Sequence, residues 1–569
     1  MSNSWTGRLK SLFTPPIHET AEYELLPTRD IAVNNLPQND DINGITSFSG
    51  SFDNIESDLQ SKSLRRVPAP VPWPARFVGL TEFAERASYY GVGYVLANFV
   101  QRPLPPGGNG AGAPAPGSEM TPGALGKGLQ VSTTLGGVMA LLAWTSPLAG
   151  GLLADLRWGK FKTIAIGTAM GAVSHLLLVY AALPSLLQNG NSFGPFLFAM
   201  LILCLSIGLI KANIVPIMGE QYTPTEDYVE TLPSGEKVII DREATIQAIM
   251  ASYYASVNLG SFVAIGSTFA EKYVGYWLAF LLPGIVFAVM PPMLWIVHPH
   301  LAPSPTPKAS ALLDNISTAR RLLSRHIKLT EDESKEVFEL RQCIRACKLF
   351  LFFVIYNVAD GGLIVMTTSL TGSMTTSGVP NDFLEAANPL FIVLTLPVLN
   401  KWVYPYLTAR KIRFGPVKRV VAGFLIAALS TAYCAVLQHA VYQTSPCGYN
   451  ATDCLAGVSP LSAWLYFPAS AMLGISEALA WVSGLEIGYM LAPPSLRAMI
   501  NGLFHSMIAV EAALVMIFVP FMKDPYLVWP FSVTVSVHSH SKRLADKWAF
   551  ATVVAAWAVW YLFGDLDND

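Results

Sequence analysis

The stretch Glu82-Phe83-Ala84-Glu85-Arg86-Ala87-Ser88-Tyr89-Tyr90-Gly91 decides how the rest of the chain is read. On a helix, Glu82, Glu85, Arg86, Tyr89 and Tyr90 follow i, i+3, i+4, i+7, i+8 spacing and share one face. Three charges and two phenols then point the same way, from a segment whose apolar residues already begin at Phe77. Arg86 lies roughly 13 Å into that helix at ~1.5 Å per residue. A charge at the bilayer centre costs roughly 2.5–3.5 kcal/mol on insertion scales, so such a stripe persists only where it faces protein or a water-filled cavity. The plainer reading, a headgroup-layer position with Arg86 snorkelling outwards, fits that depth less well.

Composition points the same way. The chain has 569 residues, 52% hydrophobic and 13% charged, with a mean hydropathy of +0.42. A soluble protein carries about 25% charged residues, so a polytopic membrane protein is expected. A net charge of −2 argues against nucleic acid as a partner, and six cysteines in this length do not make a disulfide scaffold. Residues 1–72 are polar and rich in Ser, Asn, Asp and Pro, too poor in apolar side chains to offset the entropy of ordering; they read as a disordered tail with no signal peptide.

Apolar segments long enough to cross ~30 Å of hydrocarbon fall near residues 75–99, 130–154, 163–184, 195–217, 246–269, 273–297, 347–370, 384–406, 417–439, 462–491, 498–522 and 548–564. Twelve spans with a polar break after the sixth predict an all-α protein of two six-helix bundles, 73–297 and 347–569, joined by a linker, 298–346, that holds surface helices. Cytoplasmic connections collect Lys and Arg. Here Arg157, Lys160 and Lys162 follow span 2; Arg320, Arg321, Arg325, Lys328, Arg341 and Arg345 precede span 7; Lys401, Arg410, Lys411, Arg413, Lys418 and Arg419 surround the link from span 8 to span 9. Both termini are therefore expected in the cytoplasm.

On the opposite side, the connection from Pro103 to Pro122 is rich in Pro, Gly and Ala and reads as a flexible loop. Cys447 and Cys454 bracket the sequon Asn450-Ala451-Thr452. A disulfide and a glycan both belong outside the cytosol; two free thiols and an unused sequon are the alternatives. The sequon at Asn315 falls in the cytoplasmic linker and is expected to stay unused.

Several polar residues stand inside apolar spans. Lys211 in span 4 needs a counter-charge if buried, and the glutamates of span 1 are candidates. Asn258 in span 5 precedes Gly260 and Ser261, small residues that let another backbone approach. The second half supplies Asp360, Asn388 before Pro389, and Glu477 near mid-span; Glu486, half a turn out of phase, reads as interfacial. Cations in the first half and acids in the second predict a polarised central cavity, suited to a substrate with opposite charges at its two ends. No His, Asp, Glu or Cys grouping has the spacing of a metal site or a catalytic triad, so neither an enzyme nor a metal centre is expected.

Gly150-Gly151-Leu152-Leu153-Ala154-Asp155, followed by Gly159-Lys160-Phe161-Lys162, resembles the loop signature of the major facilitator superfamily. Further motifs are the span-1 stripe, the Lys211 segment, Tyr253-Tyr254 with Asn258 and Gly260-Ser261, Gly275-Tyr276-Trp277-Leu278-Ala279-Phe280, Gly378-Val379-Pro380-Asn381-Asp382, and Ser476-Glu477 with Gly484-Leu485-Glu486. In this order, from about Pro72 to Trp529, the chain resembles the proton-dependent oligopeptide transporter (POT or PTR) family of that superfamily, and most of all its fungal peptide-transporter branch. The resemblance implies a symporter that imports di- and tripeptides with protons as the coupling ion and no other cofactor. A monomer in the lipid bilayer is expected, with the plasma membrane as its location. It also implies roles: Glu82, Glu85, Arg86 and Lys211 in proton coupling, with the glutamates exchanging a salt bridge with Lys211; Arg86 and Lys211 for the peptide carboxylate; Tyr89, Tyr90, Asn258 and Asn388 lining the pocket; Glu477 for the amino terminus. A transporter of another small solute such as nitrate, or a nutrient sensor, are the rival readings.

The chain departs from the family pattern at Ala87, where Phe is usual, at Gly93, where bacterial relatives carry a second arginine, and at Arg157, where a large apolar residue is expected. Asn357 stands at the position of a span-7 acid, with Asp360 one turn later as its substitute. Residues 536–550, with His538-Ser539-His540-Ser541-Lys542-Arg543, read as an insertion, a translated intron. Sequencing of the mature transcript is expected to find this stretch spliced out; a spliced message that keeps it defeats the reading.

Overall fold

Pro74 opens a helix that runs unbroken from Trp73 to Gln101, because proline's missing N–H costs nothing in a first turn. This helix is span 1. The computed structural model describes residues 64–303, 331–491, 497–532 and 551–564, except Thr225, Asp453 and Leu455. Among them, ten helices are long and apolar enough to cross a membrane: Gly128–Trp158, Lys160–Ala181, Phe193–Glu220, Ala244–Tyr273, Tyr276–His300, Ile344–Thr371, Asp382–Leu407, Pro416–Thr444, Ala463–Gly488 and Gly502–Phe521. These are spans 2 to 11. Span 1 is set apart from them by its three charges, and Ala551–Phe563, a shorter apolar helix, is span 12. The protein is a polytopic all-α membrane protein with the twelve spans expected.

By contact the chain forms two compact units, one of residues 64–76 with Met218–Ser252, the other of Phe77–Ile217 with Tyr253 onward. The smaller unit holds a three-stranded sheet: β1 (Arg66–Val67) runs parallel to β3 (Lys237–Ile240), and β2 (Tyr228–Thr231) pairs antiparallel on the other side of β3. The β-branched run Val238-Ile239-Ile240 favours the central strand. Arg66 Nη1 binds Asp227 at 3.0 Å and Asp241 at 2.9 Å, and Arg65 binds Glu236 at 3.0 Å.

The sheet corrects the expectation of a tail disordered through residue 72. Arg66 and Val67 find their hydrogen-bond partners about 170 residues away, a pairing that local composition does not register. The linker departs too. From Glu331 the chain is one helix to Asn357, continuous with span 7, since no Gly or Pro interrupts it; residues 331–346 form no separate surface helix. The tail before residue 64, linker residues 304–330 with the Asn315 sequon, and the 536–550 stretch lie outside the described residues.

Within the larger unit, close helix contacts are made through glycine. A Cβ on Gly260 would stand 2.7 Å from Phe83 O and 2.8 Å from Arg86 Cβ, so span 5 lies directly on the charged turn of span 1. A Cβ on Gly91 would stand 2.8 Å from Pro283 in span 6, and one on Gly150 would collide with Gly208 O in span 4. Ser88 Oγ meets His175 Nε2 of span 3 at 2.7 Å. Span 1 is thus held from three sides, and its stripe cannot rotate toward lipid. The Gly260→Leu variant is expected to lose about 1–3 kcal/mol of stability by overpacking, read as a lower unfolding temperature in detergent.

Candidate functional site

The charged stripe is buried. Glu82 and Glu85 are both 0% exposed and Arg86 is 2% exposed. Arg86 grips Glu85 with two donors, Nε to Oε2 and Nη2 to Oε1 at 2.5 Å, while its Nε lies 3.5 Å from Glu82 Oε1. The guanidinium sits 4.8 Å from the Tyr89 ring centroid and 5.9 Å from that of Tyr90. This is a bidentate, charge-assisted pair backed by two aromatic rings.

Arg86 forms one wall of a cavity of about 360 Å³ in the larger unit. All seven residues expected to contact substrate line it: Arg86, Tyr89, Tyr90, Lys211, Asn258, Asn388 and Glu477. Glu82 and Glu85 do not; they lie behind Arg86, with the phenol of Tyr253 facing Glu82. Lys211 differs from expectation in its partner. Its ammonium lies 4.0 Å from the centroid of Trp144, and among the described residues no ion pair joins it to Glu82 or Glu85. The physical reason is local: Arg86 is a neighbour of both acids on their own helix and takes Glu85 with a fork that an ammonium lacks.

The backbone explains how the other groups are aimed. Asn258 Nδ2 donates to Tyr254 O at 2.9 Å, and Ser261 Oγ donates to Asn258 O at 2.7 Å, which stiffens the turn beside the bend at Phe262 between two helical stretches. Ser476 Oγ donates to Gly423 O at 2.7 Å and lies 3.1 Å from Tyr356 OH. Span 10 is pinned there to spans 9 and 7, and Glu477 follows directly, facing Asn388. Asp360 sits in a π-helical turn, Val358–Gly362, which offsets the helix register at that point. Gly93 lines the cavity, and a Cβ there would meet nothing nearer than Met139 Cε at 3.8 Å. The position that carries an arginine in bacterial relatives is here open space. Glu486 lies outside the cavity, paired with Arg419 at 3.1 Å.

Sequence reading passed over Glu385, Glu511, Trp144 and His505, all of which line the cavity. Glu511 had the same signal as Glu477, a lone acid in an apolar helix, Ala509-Val510-Glu511-Ala512-Ala513. Glu385 accepts from Thr367 Oγ1 at 2.6 Å and Tyr466 OH at 3.0 Å. It follows the Gly378–Asp382 motif, whose members bond to the first half. There Asn98 Nδ2 donates to Glu271 Oε1 and Asn381 Oδ1 at 2.9 Å each, and Lys272 Nζ donates to Thr376 Oγ1 at 2.7 Å and Val379 O at 3.0 Å. These bonds tie span 5 and span 1 to the second half. Nearby, Cys447 and Cys454 are joined in a disulfide, and Asn450 between them is exposed.

The sequence profile of the POT family matches residues 161–300 and 303–534. This chain belongs to the POT family. Its sequence is 39% identical over 495 residues to the MFS-type transporter ucsM of Acremonium sp, covering 82% of each chain. It is 35% identical over 528 residues to the peptide transporter PTR2 of Candida albicans, covering 87% of this chain and 85% of the relative. Among solved structures, the fold matches that of an auto-inhibited POT family peptide transporter with a TM-score of 0.65 at 16% identity, covering 87% of this chain and 97% of the other. Membership of this transporter family places the chain in the membrane as an integral protein, in keeping with its spans.

Removing the guanidinium leaves Glu85 and Glu82 buried without it. The Arg86→Ala variant of this POT-family protein is expected to lose about 3–5 kcal/mol, measured by thermal or denaturant unfolding in detergent, and a second change, Glu85→Ala, should recover much of that loss.

Proposed function

We propose that the chain is a proton-coupled symporter that imports di- and tripeptides by alternating access, acting as a monomer in the plasma membrane with both termini in the cytoplasm. The observation that carries this reading is the division of charge around the cavity: Arg86 and Lys211 from the first half, Asp360, Glu385, Glu477 and Glu511 from the second. A peptide zwitterion matches that division, its carboxylate toward Arg86 and Lys211 and its amino group toward Glu477. Nitrate would leave these acids with no cation to bind. The relatives named as peptide transporters support the same substrate class.

Proton coupling follows from the pair at the bottom of the site. While Glu85 is ionised it occupies two donors of Arg86; a proton on Glu85 weakens that grip and frees the guanidinium for the peptide carboxylate. Proton and peptide then favour the same state, and each shifts the equilibrium by its difference in affinity for the two states. The membrane potential adds about 2.3 kcal/mol per charge per 100 mV. The hydrogen bonds around Asn98, Lys272 and Asn381 close the external end in this reading, so the cavity belongs to an inward-facing form. In this reading the disulfide stands at that same external end, where the exposed Asn450 would be open to glycosylation.

Uptake of a labelled dipeptide into proteoliposomes of purified protein tests the reading. Wild type is expected to accumulate peptide only with an inward proton gradient. Glu85→Gln should abolish gradient-driven accumulation while retaining peptide exchange, and Glu477→Gln should raise KM by about tenfold or more, the loss of one charge-assisted bond. Accumulation without a gradient would overturn symport; full uptake by Glu477→Gln would overturn the assignment of the amino-terminal contact.

A further inference from the structure

The cavity holds more acid than a simple dipeptide uses. Glu477 suffices for one amino terminus, and Glu385 is already satisfied by Thr367 and Tyr466. Asp360 and Glu511 remain. Glu511 is 3% exposed, and its Oε1 lies so close over Gly362 that a Cβ at that position would collide with it. The acid of span 11 therefore seats on the π-turn of span 7 that carries Asp360. Asp360 faces Glu477, Glu511 and the phenol of Tyr356. The cations of the cavity, Arg86 and Lys211, stand on first-half helices, Arg86 gripped by Glu85 and Lys211 over Trp144. The imidazole of His505 stacks on Trp144 at 5.8 Å and meets Trp481 edge-on at 5.8 Å.

A second feature of the same wall points to a ligand. Asn357, 4% exposed, lines the cavity one helical turn before Asp360, and its Nδ2 has no hydrogen-bond partner. Asp360 Oδ1 is likewise unpartnered. An amide donor and a carboxylate acceptor left open on one buried wall cost free energy until something fills them. A peptide carbonyl suits the first and a positively charged group suits the second. Gly361, next to Asp360 in the chain, lines the cavity, and a Cβ there would meet nothing within 4 Å, which leaves this part of the wall open to a long substrate side chain.

We propose that Asp360 and Glu511 form a subsite for a second positive charge on the substrate, so that this transporter favours peptides with a lysine or arginine side chain. The proposal rests on the peptide reading above and adds to it. A guanidinium or ammonium between the two carboxylates gains charge-assisted hydrogen bonds and relieves the repulsion between two buried acids. Acidic side chains are repelled from the same place.

Competition against labelled Ala-Ala in proteoliposomes tests it, with the membrane potential clamped at zero by valinomycin and equal potassium so that peptide charge gains nothing from the field. Unlabelled Ala-Lys, Ala-Ala and Ala-Glu serve as competitors. In wild type Ala-Lys is expected to compete about tenfold better than Ala-Ala, the value of one ionic hydrogen bond, and Ala-Glu worse than either. In Glu511→Gln the ratio of Ala-Lys to Ala-Ala inhibition constants should fall close to one, whatever the absolute rates; Asp360→Asn serves if that variant does not fold. Equal competition by the three peptides in wild type overturns the subsite while leaving peptide transport standing. A preference for Ala-Lys that survives both variants overturns it as well, as does a change in the proton dependence of uptake with the preference intact. No dipeptide uptake by wild type under any gradient would instead defeat the peptide reading itself.

Discussion

The grip of Arg86 on Glu85, both of them buried, is the contact on which the site depends. A guanidinium and two carboxylates at that depth are tolerable only as a set. Their burial requires a second helix close enough to exclude lipid, which Gly260 supplies, and rings to cover the remaining face, which Tyr89 and Tyr90 supply. The cavity begins where this packing ends, with Arg86 presenting one side to its own helix and the other to the pocket.

The same logic organises the second half with opposite sign. Ser476 is fastened to Gly423 and Tyr356, so the acid that follows it is held in place rather than left to snorkel. The π-turn at Asp360 and the seat of Glu511 on Gly362 bring two more carboxylates to the same wall. A polar site in a membrane protein is built near the midplane from interrupted helices whose irregular backbone is shielded by protein, and spans 5 and 7 both show such interruptions.

The contact that joins the two halves around Glu271 and Lys272 has a different chemistry. It sets the Glu271 carboxylate and the Lys272 ammonium against amides, a hydroxyl and a backbone carbonyl, joining the halves by several separate hydrogen bonds rather than by one ion pair. Such bonds are worth about 0.5–1.5 kcal/mol net between neutral groups and about 1.5–3 kcal/mol where one partner is charged, so the contact is divided among several partners, each of which can be released singly.

Much of this was legible in the residues. Span count follows from apolar length, because every backbone group within hydrocarbon must be satisfied inside its own helix. The span-1 stripe, Lys211, Asn258, Asn388 and Glu477 stand out because polar groups there are costly, and all but the two buried glutamates of the stripe line one cavity. What remained hidden depends on contacts between distant parts of the chain. The strand at Arg66–Val67 exists only through Ile239 and Ile240. The choice of Arg86 over Lys211 as the partner of Glu85 turns on rotamers and ångström distances, and the seating of Glu511 on Gly362, two residues from Asp360, turns on how spans 7 and 11 pack. Sequence determined which residues could not face lipid, since that is a property of each side chain. Tertiary structure alone decided which of them face one another, since that depends on how the helices pack and in what register.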